Sequence, residues 1–232
     1  MNDIYEPIKT KIAFWCDYDK NAPKSKYEDD PQEHDKYRSE HDLDCILNDG
    51  NLFADTIFSL WLPLRTILVR INSYTKLNRV GNINNKISFL NKLMEVDNLN
   101  QYLPRDDKRA ILLSELFEIG QTKANTMILP NRKLQEKGDE PVYDYMPHFL
   151  AECFQKGRFS YAFKDDEAFK RWINDQKLTM FFKDEIIDIN HIKDLSGSKN
   201  VRCNIPPEGK ETLMLENYIQ ILKERERQID VG

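Results

Sequence analysis

The chain has 232 residues, 40% of them apolar and 31% charged, which is enough to bury a core without disulfide staples. Its formal net charge of −5 argues against a binder of phosphate backbones, so no general nucleic-acid binding is expected. The opening MNDIYEPIKTK lacks the apolar stretch of a secretory signal. Residues 52–71 alone are long and apolar enough to tempt a transmembrane reading, but they contain Asp55, Arg65 and Arg70. Each of those charges costs about 2.5–3.5 kcal/mol near a bilayer centre, so burial in protein is preferred. The expectation is one cytoplasmic domain over residues 1–232, away from membranes.

Residues 9–17, KTKIAFWCD, alternate Ile12, Phe14 and Cys16 against Ala13 and Trp15, and this period of two predicts a short N-terminal strand. Residues 18–30 carry two prolines and many charges, the composition of a surface loop. Asp30 as N-cap and Pro31 at the first helical position predict a helix ending at Asn48-Asp49-Gly50. In residues 51–72, Ile57, Leu60, Leu64, Ile67, Leu68 and Ile71 share one side, widened by Phe58, Trp61 and Val69. That arc predicts a central helix covered by several neighbours.

A helical period resumes over KISFLNKLMEV and again over residues 107–129. In the latter, Leu112, Leu113, Leu116, Phe117, Gly120, Ala124, Met127 and Ile128 face one way, and Glu115, Glu118, Gln121, Thr122 and Asn125 the other. A mid-helix Gly120 costs about 1 kcal/mol and points to close approach by another helix, expected to be 52–72. Further helices are expected over 143–156, 165–176 and about 210–228, with a small hairpin over 178–188. The KERERQ end reads as a solvated tip. The expected class is a mainly α single-domain bundle with the short N-terminal strand and the hairpin attached.

Five readings carry chemistry. IAFWCDYDKN, an apolar strand ending in Asp17 and Asp19, is similar to the first motif of haloacid-dehalogenase-like phosphatases. That resemblance implies Asp17 as nucleophile, Asp19 as acid, and a magnesium site on both. Lys20 stands where the family pattern asks for a hydroxyl residue, and no later acidic pair follows an apolar strand. The run from His34-Asp35 to His41-Asp42 resembles an HD-type phosphohydrolase, although seven residues of helix separate the two histidines by about 10.5 Å. His41 with Cys45 is the remaining metal pair there.

Asp144, His148 and Glu152 lie at i, i+4 and i+8, a spacing that presents adjacent metal ligands or a carboxylate orienting an imidazole. The same spacing serves equally as two stabilising helix pairs of about 0.2–0.5 kcal/mol each. Pro147, read as helix-interior, would open the hydrogen-bond ladder beside His148. The loop DLSGSKN, residues 194–200, has the composition of a backbone nest for an anion, without phosphate-loop spacing. Lys20, Lys24, Lys26 and Tyr27 form a basic, partly aromatic loop of the kind that contacts nucleic acid, with its field offset by Glu28, Asp29 and Asp30. Cys16, Cys45, Cys153 and Cys203 include no C-x-x-C pair and read as buried free thiols.

The stretches GNLFADTIFSLWLPLR, LSELFEIGQTKANTMILPNR, YDYMPHFLAECF and IKDLSGS resemble a bacterial protein family of unknown function over roughly residues 50–225. The resemblance implies a bacterial source and one continuous domain, and supplies no activity. The functional expectation is therefore a partner-binding or regulatory helical module without catalysis or cofactor. The alternative is a metal-dependent phosphoester hydrolase using Asp17/Asp19 or Asp144/His148/Glu152 with a divalent metal.

Overall fold

Pro63 decides how the apolar stretch 51–72 folds. Proline has no N–H to donate, so a helix accepts it in the first turn and breaks around it later. The computed structural model describes residues 3–21, 53–95, 99–129, 145–155 and 162–230. In it, residues Phe53–Thr56 form strand β1, and helix α2 spans Trp61–Ile71 with Pro63 in its first turn. The single helix expected over 51–72 is thus a strand followed by a helix.

The expected helix 107–129 divides in the same way. Asp107 caps helix α6, Lys108–Ile119, by accepting from the Arg109 N–H, and Gly120 ends it. A 3-10 turn, Lys123–Asn125, leads into strand β2, Thr126–Leu129. β2 runs antiparallel to β1 with Phe53 opposite Leu129 and Thr56 opposite Thr126. A Cβ on Gly120 would stand 2.5 Å from Leu60 Cδ2 and 2.6 Å from the Leu116 carbonyl oxygen. The close approach to the 52–72 segment is therefore present, but at a helix end.

Residues expected as an N-terminal strand belong to helix α1, Glu6–Asn21. Tyr5, Ile8 and Ile12 are all fully buried at a spacing of three and four, and Pro7 sits in the first turn. That spacing outweighs the alternation of Ile12, Phe14 and Cys16, of which only Ile12 is fully buried. The expected hairpin over 178–188 is also absent. Consecutive residues Met180, Phe181 and Phe182 are buried, which a one-sided strand cannot achieve, and the segment forms 3-10 turns at Thr179–Phe181 and Lys183–Glu185.

The remaining helices are α3 (Tyr74–Asn78), α4 (Lys86–Glu95), α5 (Leu99–Tyr102), α7 (Met146–Cys153), α8 (Asp166–Asp175) and α9 (Glu211–Asp230). The chain is mainly helical, as its periodicity predicts. Helix α6 occupies the centre, packed against α9, α1 and α2, so it takes the position expected of 51–72. Phe58, just after β1, stacks on Tyr218 of α9 with ring centres 4.2 Å apart.

Side chains complete the two-stranded sheet. Beyond Thr56, the Asn125 carboxamide oxygen accepts from the Phe58 N–H at 2.8 Å. Its Nδ2 donates to the Phe58 and Gly120 carbonyls, each at 3.0 Å. On the outer side of β2, the Ile128 N–H donates to Gln176 Oε1 at 2.7 Å, and Trp172 Nε1 donates to the Ile128 carbonyl at 2.8 Å. Arg225 of α9, read as part of a solvated tip, is instead 3% exposed. Its guanidinium donates to the carbonyls of Gln176, Lys123 and Ala124 at 3.0, 2.9 and 2.7 Å.

The helix expected over 31–48, with His34, Asp35, His41, Asp42 and Cys45, lies outside the described residues, as do Lys24, Lys26 and Tyr27. Residues 18–21, expected as the start of a loop, continue α1.

Candidate functional site

Helices α1 and α6 meet where Trp15 packs edge-on against Phe117, with ring centres 6.0 Å apart. Nearer the start of α1 they are tied by side chains to backbone. Ser114 Oγ donates to the Ile4 carbonyl, and Gln121 Nε2 donates to the Pro7 carbonyl at 3.1 Å. Above these ties the two helices leave a groove of about 810 Å³, a volume typical of binding clefts. Ile4, Pro7 and Ile111 give it apolar surface, and Ile111 is 49% exposed.

Four carboxylates line the groove, Asp3, Glu6, Glu115 and Glu118, and no lysine or arginine does. Two of them are held by cations set back from the lining. Asp3 pairs with Lys9 at 3.0 Å and Arg105 at 3.1 Å, and the Lys9 hydrogen bond foremost lowers its pKa. Glu115 pairs with Lys223 at 2.5 Å. Glu6 and Glu118 are exposed; among the described residues neither pairs with a cation, and Glu6 has only the Thr10 hydroxyl at 3.5 Å.

The second constellation is on α7. His148 Nε2 lies 3.5 Å from Glu152 Oε1, so the structure brings this expected pair together. Asp144 lies outside the described residues. Glu152 is 3% exposed and faces inward, contrary to its expected place on a polar face, and the same Oε1 accepts from Arg202 Nε at 2.9 Å. A buried carboxylate between an imidazole and a guanidinium can orient the ring, but it shares its charge with Arg202. Pro147 lies in the first turn of α7, where its missing N–H removes no intrahelical bond, so the expected opening beside His148 does not arise.

Asp17 and Asp19 lie near the end of α1, on helical backbone. The strand-end placement required by the phosphatase motif is overturned by that helix. In the loop 194–200, the backbone N–H groups of Ser196, Gly197 and Lys199 converge on the carboxylate of Asp194. The nest read from the sequence exists, and the chain's own aspartate fills it. Gly197 and Lys199 adopt φ of +73° and +63° to make that turn. Among the described residues Cys16, Cys153 and Cys203 form no disulfide, and each is only partly buried where full burial was expected. Among the described residues no three His, Cys, Asp or Glu side chains are placed to share a metal ion, and no helix is long and apolar enough to cross a membrane.

Sequence reasoning misses both Arg202, which lies in an irregular segment without a period, and the groove. The groove had a signal: Glu115 and Glu118 lie on the polar side of α6, and Gln121 and Thr122 follow just beyond its end. Reading α1 as a strand removed the second wall. No protein-family model, curated protein or solved structure matches the chain.

Proposed function

We propose that this chain works by holding a segment of a partner protein in the groove between α1 and α6, as a binding or regulatory module without catalysis of its own. The observation that carries the reading is the combination of open volume, the half-exposed Ile111 and carboxylates without a cation in the lining. Exposed apolar surface bordered by charge is the composition of a recognition site. Ile111 is the side chain whose replacement disturbs the groove with the least cost to the core. Ile111→Arg is expected to fold with an unchanged circular dichroism spectrum and to lose a partner retained by the wild type and by Tyr74→Arg, an equally exposed position elsewhere. After identification of that partner, reconstitution from purified components checks the contact directly. A partner retained in full by Ile111→Arg overturns the reading.

The metal-dependent phosphoester hydrolase keeps one supporting observation, the His148–Glu152 pair on α7. On that reading, manganese or zinc binds the wild type at one equivalent by calorimetry, and His148→Ala weakens it at least about tenfold. Equal binding by both proteins rejects that site.

A further inference from the structure

We infer that the segment held in the α1/α6 groove is an amphipathic helix whose apolar anchor is flanked by lysine or arginine; the inference rests on the groove being the partner site. Two observations define the occupant. The first concerns backbone. Both walls of the groove are built on helices, whose peptide groups are already bonded within themselves, and the carbonyls of Ile4, just ahead of α1, and of Pro7 in its first turn are taken by Ser114 and Gln121. A strand laid in this groove would find no row of N–H and C=O groups, and its own would go unpaired. A helix arrives with its backbone satisfied and needs only side-chain contacts.

The second observation concerns charge. Asp3 and Glu115 are neutralised in place by Lys9, Arg105 and Lys223, whereas Glu6 and Glu118 face the groove from opposite walls without a cation among the described residues. Docking an uncharged helix would strip water from these two carboxylates and give nothing back. A helix with lysine or arginine on each side of its apolar face supplies a countercharge to each wall while the anchor meets Ile4, Pro7 and Ile111.

The test uses the full chain and three fluorescent helical peptides of about 18 residues, or five turns. All share one leucine face; the polar positions are all Lys, all Gln or all Glu. The Lys peptide is expected to bind at least about fivefold tighter than the other two by anisotropy, and to weaken as salt rises. Glu118→Lys is expected to weaken it about fivefold, while Glu167→Lys on α8, with the same net charge change, alters it less than about twofold. Equal binding of all three peptides, abolished by Ile111→Arg, would overturn the basic partner and leave the groove reading standing. Binding that survives Ile111→Arg, or no binding by any peptide, overturns both. Lys-peptide binding equally weakened by Glu118→Lys and Glu167→Lys assigns the attraction to overall charge and rejects the inference.

Discussion

Asn125→Leu is expected to destabilise the chain by about 3–5 kcal/mol, measured as the loss in unfolding free energy on urea titration. Asn125 is 2% exposed, and its carboxamide satisfies the Phe58 N–H, the Phe58 carbonyl and the Gly120 carbonyl together. Leucine has the same branched outline with bulkier methyl ends and bonds none of them. Each orphaned buried group costs about 1–3 kcal/mol, and the leucine side chain keeps replacement water out. Asn125→Ala opens room for a water and is therefore expected to cost less than Asn125→Leu, against the usual order for an apolar core. If alanine proves worse, packing and not hydrogen bonding is what Asn125 contributes.

Arg225→Leu is expected to cost about 4 kcal/mol, measured the same way. The guanidinium serves three carbonyls from α8's end and the turn before β2, and among the described residues no carboxylate pairs with it. Burial pushes its pKa down to about 10, so it is still charged at neutral pH. Charged donors to carbonyls are worth about 1.5–3 kcal/mol each, and leucine abandons all three. Arg225→Lys is expected to recover less than half of the loss, because a compact ammonium cannot reproduce a planar fork aimed at separate acceptors. Full rescue by lysine would mean that charge alone matters at this position. Asn125 and Arg225 brace opposite ends of the same 3-10 turn, so the double variant is expected to lose less than the sum of the two.

Helices α4, α8 and α9 are legible in the sequence because each has one apolar face and one polar face. The failures come from segments apolar on most sides. Residues 51–72 satisfy a helical arc, and only the steric demand of Pro63 reveals that helix cannot extend far ahead of it. In α1, Ile12 belongs to both a period of two and a period of 3.6, and the decision rests on Tyr5 and Ile8, which lie upstream of the alternation. Arg225 was hidden by its charged neighbours. Its position is nevertheless the next step of the series Tyr218, Leu222, Arg225 along the inward face of α9. Of the candidate site, the His148–Glu152 pair was legible from spacing alone. The groove was not, since it requires knowing that α1 is a helix and which side of α6 it leans on.

The seal that Gln176 and Trp172 place over Ile128 bears on what this chain does when crowded. A strand at the rim of a sheet presents unpaired peptide groups that can template the addition of another chain. Here the Ile128 N–H and carbonyl, the groups that point away from β1, are already engaged by a carboxamide and an indole. A second copy cannot add a strand there without first prying away α8. The local stability of α8, whose Phe169, Trp172 and Ile173 are buried, is thereby also the barrier to edge-to-edge self-association along β2.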